Sequence, residues 1–163
     1  MKKVIYIGLI LALCLIMAAC SGGNDQAEPG FEVGSVTIIS NGIEHRPYAR
    51  VMHSGTRTPA GTLSASAAIA PLEEIFEMLP EIEYSDDFQV VIDGEDARWI
   101  TYTWHDANFE LVVVDGQMLI SMKELGFPDE AGLYILGISV YWSYQPPGAS
   151  EFVIYEYIVR VRK

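Results

Sequence analysis

The stretch from Leu133 to Tyr144, "LYILGISVYWSY", commits this chain to a β fold more firmly than any other part of it. Tyr134, Leu136, Ile138, Val140, Trp142 and Tyr144 fall at every second position, and an extended strand turns alternate side chains to opposite faces. A helix would scatter those six side chains around its surface. A strand gathers them into one heavy apolar stripe, which needs an opposing layer to cover it. The run from Phe152 to Lys163 repeats the pattern through Val153, Tyr155, Tyr157, Val159 and Val161. Pro146-Pro147-Gly148 separates the two runs, so they read as an antiparallel hairpin, the last of the fold.

The same alternation marks Ser35 to Ser40, Tyr48 to His53, Phe88 to Asp93, Arg98 to His105 and Phe109 to Val114. Turn signals stand between them: Asn41-Gly42, Ser85-Asp86-Asp87, Asp93-Gly94, Asp106-Ala107-Asn108 and Asp115-Gly116. Seven or more short antiparallel strands at this spacing predict an all-β sandwich with a single domain over 31–163. One segment has a different period. In "PLEEIFEMLP", Leu72, Ile75, Phe76 and Leu79 follow helical spacing, with Pro71 and two glutamates suited to the first turn and Pro80 as a stop. One short helix, about 71–79, is therefore expected, plugging an open end of the sandwich. Gly55 to Ala70 is rich in small residues and reads as a loop followed by a strand.

The sequence Glu130-Ala131-Gly132-Leu133-Tyr134 resembles the tyrosine corner of immunoglobulin-like and fibronectin type III-like sandwiches. That resemblance implies an immunoglobulin-like β-sandwich in which the Tyr134 hydroxyl ties back to nearby backbone. The inter-sheet cysteines of antibody domains are absent. The fold class carries little information about activity, since it hosts unrelated functions.

The N-terminus speaks about location. Lys2 and Lys3 precede an uncharged apolar run from Val4 to Met17, and Ala18 and Ala19 are small. Fourteen residues of helix span about 21 Å, short of the roughly 30 Å hydrocarbon layer. "MAAC" resembles the lipobox of bacterial lipoprotein signal peptides. The resemblance implies removal of residues 1–19 and transfer of a diacylglyceryl group to the Cys20 thiol, placing the protein on the extracytoplasmic side of a bacterial membrane. Met17 stands where leucine is commoner. Two fatty acyl chains hold durably where one holds marginally. Residues 20–30 then form a flexible tether of Gly, Ser, Asn, Asp and Pro.

All 22 acidic residues lie beyond Cys20, and of ten basic residues Lys2 and Lys3 are lost with the signal. Eight basic against 22 acidic residues leave a net charge of −14. Such a surface is repelled by phosphate backbones, which argues against nucleic acid as a partner. Membrane contact is expected through the lipid on Cys20 alone. Without another cysteine in the mature chain, stability rests on the core.

Catalytic signals are weak. His45, His53 and His105 lie on separate segments without metal-ligand spacing. No G-x-S-x-G, S-x-x-K or H-E-x-x-H motif occurs, and Ser121-Met122-Lys123 is one residue too short for a serine–lysine pair. A non-enzymatic reading follows. The acidic turns are a second possibility: Asp86 and Asp87 precede one strand, and Asp93, Glu95 and Asp96 follow it. Were neighbouring turns to bring these carboxylates together, their oxygens could bind calcium, although solvated hairpins are the commoner role.

Two aromatics oppose the core stripes. Trp99 lies opposite Ile100, Tyr102 and Trp104, and Tyr141 opposite the Tyr134–Trp142 stripe. Most often a helix or loop covers such residues; left in solvent, they would make a stacking platform for sugar rings. These readings together predict an anchored, non-catalytic binding or accessory module for an envelope protein or glycan. The alternative is a calcium-dependent or catalytic envelope protein using loop carboxylates and histidines.

Overall fold

The computed structural model describes residues 32–114, 120–121, 125–145 and 147–163. Cys20, the signal segment, the tether, the Asp115-Gly116 turn, Met122-Lys123 and Pro146 lie outside the described residues.

Among the described residues the chain forms two β-sheets with one short helix, an all-β sandwich. Strands β1 (Ser35–Ser40), β2 (Ile43–His45) and β6 (Gln89–Asp93) make a three-stranded sheet in the order β2-β1-β6. The second sheet has eight strands. Its main path is β4 (Gly61–Ser66), β3 (Tyr48–Thr58), β11 (Ser150–Arg162), β10 (Leu133–Tyr144), β7 (Ala97–Asp106) and β8 (Leu111–Val112). To these are added β5 (Glu81–Glu83), which pairs β11, and β9 (Ile120–Ser121), which pairs β7.

The expected hairpin is the centre of the large sheet. β10 and β11 pair in unbroken antiparallel register from Leu133↔Arg162 to Tyr144↔Glu151. The predicted stripes face the small sheet: Leu136, Ile138, Val140, Trp142, Val153, Tyr157, Val159 and Val161 are buried there with Val36 and Ile38 of β1. Tyr144 is the exception; it lies beyond the core and is exposed. The Asn41-Gly42 turn takes positive φ at both residues, as the tight β1–β2 connection requires. The predicted tyrosine-corner bond is present: Tyr134 Oη donates to the Glu130 carbonyl at 3.0 Å.

Trp142 shows how the two layers meet. Its indole lies against Gly34 and Gly94, at the start of β1 and the end of β6. A Cβ on Gly34 would stand 1.9 Å from the Asp93 carbonyl and 2.5 Å from Trp142 Cη2. Only glycine lets both backbones come this close to the ring.

Three expectations change. The helix, α1 (Leu72–Ile75) continued by a 3-10 turn (Phe76–Met78), does not plug an end of the sandwich. It packs on the outer face of the large sheet, where Ile75 and Leu79 bury Ile135 and Ile158. Those two residues leave an apolar spot on the side away from the core, and burying it drives the helix there. The end of the sandwich is filled instead by rings. Phe127 meets Tyr84 at 4.5 Å, Phe88 at 5.0 Å and Trp104 at 5.3 Å between centroids. Second, Gly55–Thr58 is strand rather than loop, and β4 runs back along β3 from Thr58↔Gly61 to His53↔Ser66. Third, the sheet is not wholly antiparallel. β5 runs parallel to β11 at Arg160–Arg162, continuing the edge that β3 occupies lower down. The helix is thus the crossover that carries the chain from β4 back to that edge.

Candidate functional site

The outer face of the large sheet is where sequence-predicted site residues converge. On β10 it presents Ile135, Gly137, Ser139 and Tyr141; on β11 Phe152, Ile154, Glu156 and Ile158; on β7 Trp99, Thr101, Thr103 and His105. A bulge between Ile154 and Tyr155 inserts Met52 into β3 and reverses its alternation. Tyr48 and Arg50 face outward before it, His53 and Gly55 after it.

Helix α1 covers the Ile135–Ile158 part of this face and leaves the Trp99–Tyr141 part open. Trp99 and Tyr141 are direct cross-strand partners. Trp99 is 49% exposed and Tyr141 half-buried. Tyr141 stacks on Phe152 with centroids 5.8 Å apart and planes 22° from parallel. Phe152 touches His53 on its other side at 5.6 Å and occupies the space above Gly55, where a Cβ would come within 2.8 Å of its ring. His53 Nδ1 in turn lies 2.9 Å from Ser66 Oγ on β4. Trp99 and Tyr141 stand out in the sequence by opposing the core stripes; Phe152 and His53 do not. Phe152 was legible from the hairpin register. His53 was not, because a bulge has no composition signal of its own.

Beside this aromatic group, Arg50 and Glu156 form an ion pair at 2.6 Å with side chains only 14% exposed. Arg50 Nη1 also donates to the Ala70 carbonyl at 2.6 Å, tying the strand to the segment that leads into α1. His105, at the helix-covered end, has its Nδ1 buried without a hydrogen-bond partner among the described residues. Burial lowers its pKa, with the carboxylates of Glu156, Asp106 and Glu73 pulling the other way.

The acidic residues are distributed differently from the calcium expectation. Asp87 caps the β1–β2 turn: its carboxylate accepts from Asn41 N at 2.8 Å, Gly42 N at 2.7 Å and the Ser85 hydroxyl. These bonds, that from Ser85 foremost, hold its carboxyl below the usual range. Asp86 beside it is exposed. At the other end of β6, Asp93 and Glu95 are exposed, while Asp96 pairs with Arg98 at 3.4 Å. The five residues of β6 separate the two groups and span about 16 Å, too far for them to share a cation. Among the described residues, no group of three or more His, Cys, Asp or Glu side chains is placed to hold a metal.

The chain matches no protein-family model, no curated protein and no solved structure.

Proposed function

We propose that the protein is an extracytoplasmic lipoprotein, anchored through lipid on Cys20, whose β-sandwich domain is a non-catalytic binding or accessory module for an envelope protein or glycan. The lysine head, apolar run and "MAAC" sequence support the anchor. The tyrosine-corner bond of Tyr134 supports kinship with immunoglobulin-like sandwiches, although a division into three and eight strands is more lopsided than theirs. The observation that carries the binding role is the register-aligned pair Trp99 and Tyr141 on an open sheet face, with Tyr141 braced by Phe152 of the neighbouring strand. A large indole half in solvent has no part in holding the core, whereas buried aromatic area is a main source of affinity in recognition.

The test is capture from envelope extracts by the immobilised domain from Gln26 onward, compared with its Trp99→Ala variant. A component retained by the first and lost by the second, at unchanged melting temperature, supports the reading. If Trp99→Ala unfolds the domain, the residue is structural and the binding face is withdrawn.

A further inference from the structure

We propose that the Trp99–Tyr141 region binds a neutral glycan, the pyranose rings lying against the aromatic side chains. This rests on the binding role just given and names its ligand.

Trp99, Tyr141, Ile154, His53 and Ser66 are successive lateral partners across β7, β10, β11, β3 and β4. Adjacent strands lie about 4.8 Å apart, so this row advances by about 5 Å per position and crosses about 20 Å of sheet. That step is comparable to the length of one pyranose unit in an extended chain. The row therefore offers repeated contact along an oligosaccharide rather than a single slot.

The chemistry of the row matches a sugar on two counts. A pyranose has a C–H face that packs on an aromatic ring and a rim of hydroxyls that need hydrogen-bond partners. Trp99 and Tyr141 supply rings, and Tyr141 is fixed by its stack on Phe152, so little freedom is lost on binding. Ser139, half-buried beside Tyr141, and Ser64 and Ser66, exposed at the β4 edge, supply hydroxyls. Thr101 and Ser143 are buried and do not take part.

Charge and area set the class. Arg50 and Glu156, flanking the row, neutralise each other at 2.6 Å. Asp86, Asp87 and Asp93 lie on or beside β6 of the other sheet, and Asp96, whose carbonyl accepts from Ser143 N at the large sheet, is paired with Arg98 at 3.4 Å. A neutral strip on a strongly acidic chain disfavours anionic polymers and gives a basic protein nothing to pair with. Trp99, half in solvent, and Tyr141, half-buried, leave on the order of 100–200 Å² of ring surface free, well below the roughly 1,000 Å² expected of a specific protein interface.

The full-length chain, kept in a zwitterionic, sugar-free detergent, is titrated with chitohexaose and cellohexaose, and with an oligogalacturonate as the anionic control. Tryptophan fluorescence and calorimetry report binding. The expected result is binding of a neutral oligosaccharide that is insensitive to added salt. Trp99→Ala and Tyr141→Ala should each weaken it about tenfold or more, while Trp99→Phe retains most of it. Melting temperatures of the variants separate lost contact from lost fold. Failure of both neutral oligosaccharides to bind at millimolar concentration, or preference for the anionic one, overturns the proposal. If Trp99-dependent capture from envelope extracts survives that failure, the binding face stands and its ligand is a protein. If capture fails as well, the binding role falls with it.

Discussion

Gly34→Ala should be among the most damaging single-methyl additions the domain can receive. The new Cβ would meet the Asp93 carbonyl at 1.9 Å and two atoms of the Trp142 ring at 2.5 and 2.6 Å. Ordinary contact begins near 3.4 Å, so the carbonyl would have to retreat by about 1.5 Å. Neither obstacle gives way easily: one is backbone, and the other is a fully buried indole. Overpacking of this kind costs about 1–3 kcal/mol. Prising β1 from β6 beside the Ser35↔Asp93 pair forfeits one or two ladder hydrogen bonds at about 0.5–1.5 kcal/mol each. A loss of about 3 kcal/mol results, which a urea slope of about 1–3 kcal/mol/M converts to a midpoint lowered by about 1–3 M. Gly42→Ala is the control. Gly42 has φ +69° and nothing within 4 Å of its Cβ, so alanine meets backbone strain alone, about 1 kcal/mol. If Gly34→Ala lowers the midpoint no more than Gly42→Ala does, the glycine cradle of Trp142 does not pin the two layers together.

Trp142→Ala should cost about 3–5 kcal/mol by urea denaturation, and a near-neutral result would disprove the packing described for the β10 stripe. Tyr134→Phe should cost about 0.5–1 kcal/mol, at the low end because its corner bond to Glu130 is exposed and water can replace it. Asp87 has a folded pKa below its unfolded value, so its contribution is complete above the unfolded pKa and is lost as pH falls through the folded one. Asp87→Asn should therefore flatten the fall in urea midpoint between neutral pH and about pH 3, and identical slopes would show that the cap is energetically silent. Cys20→Ser should abolish incorporation of labelled fatty acid and membrane partitioning; continued processing at Ala19 with membrane retention would exclude the lipobox.

What could be foreseen in this fold depended on where apolar contrast lies. β1 is legible to the residue because one face is packed and the other is not, and β10 because its core stripe is heavy and unbroken, even though α1 also covers Ile135 on the opposite face. β4 was obscure for the opposite reason: all six of its residues are exposed, so backbone pairing with β3 forms it without any burial pattern. Leu63 stands in solvent there. β2 and β5 are three residues each, below the length at which alternation means anything. Spacing marks the helix in the sequence but not where it docks. Locating it required knowing that Ile135 and Ile158 come together on the outer face, which is a product of register. The aromatic pair was foreseen one strand at a time; that Trp99 and Tyr141 are partners depends on the β7–β10 alignment, and the backbone irregularity between Tyr141 and Trp142 lies next to it.

The placement of β11 bears on when the protein can fold. It bonds to β10 along one edge and to β3 and β5 along the other, so the middle of the large sheet is its final strand in sequence order. Until Ser150–Arg162 is available, β3 and β4 are a stranded hairpin and β10 has one bare edge. The β10 stripe then lacks its neighbours Val153, Tyr157, Val159 and Val161, and the large sheet is divided in two. At about 5–20 residues per second, ribosomal synthesis of those thirteen residues takes about 1–3 s, and the joining of β3-β4 to β10-β7-β8 waits for them. Under the export proposed above, with the N-terminus leading, the two parts of the large sheet cannot join until Ser150–Arg162 has crossed.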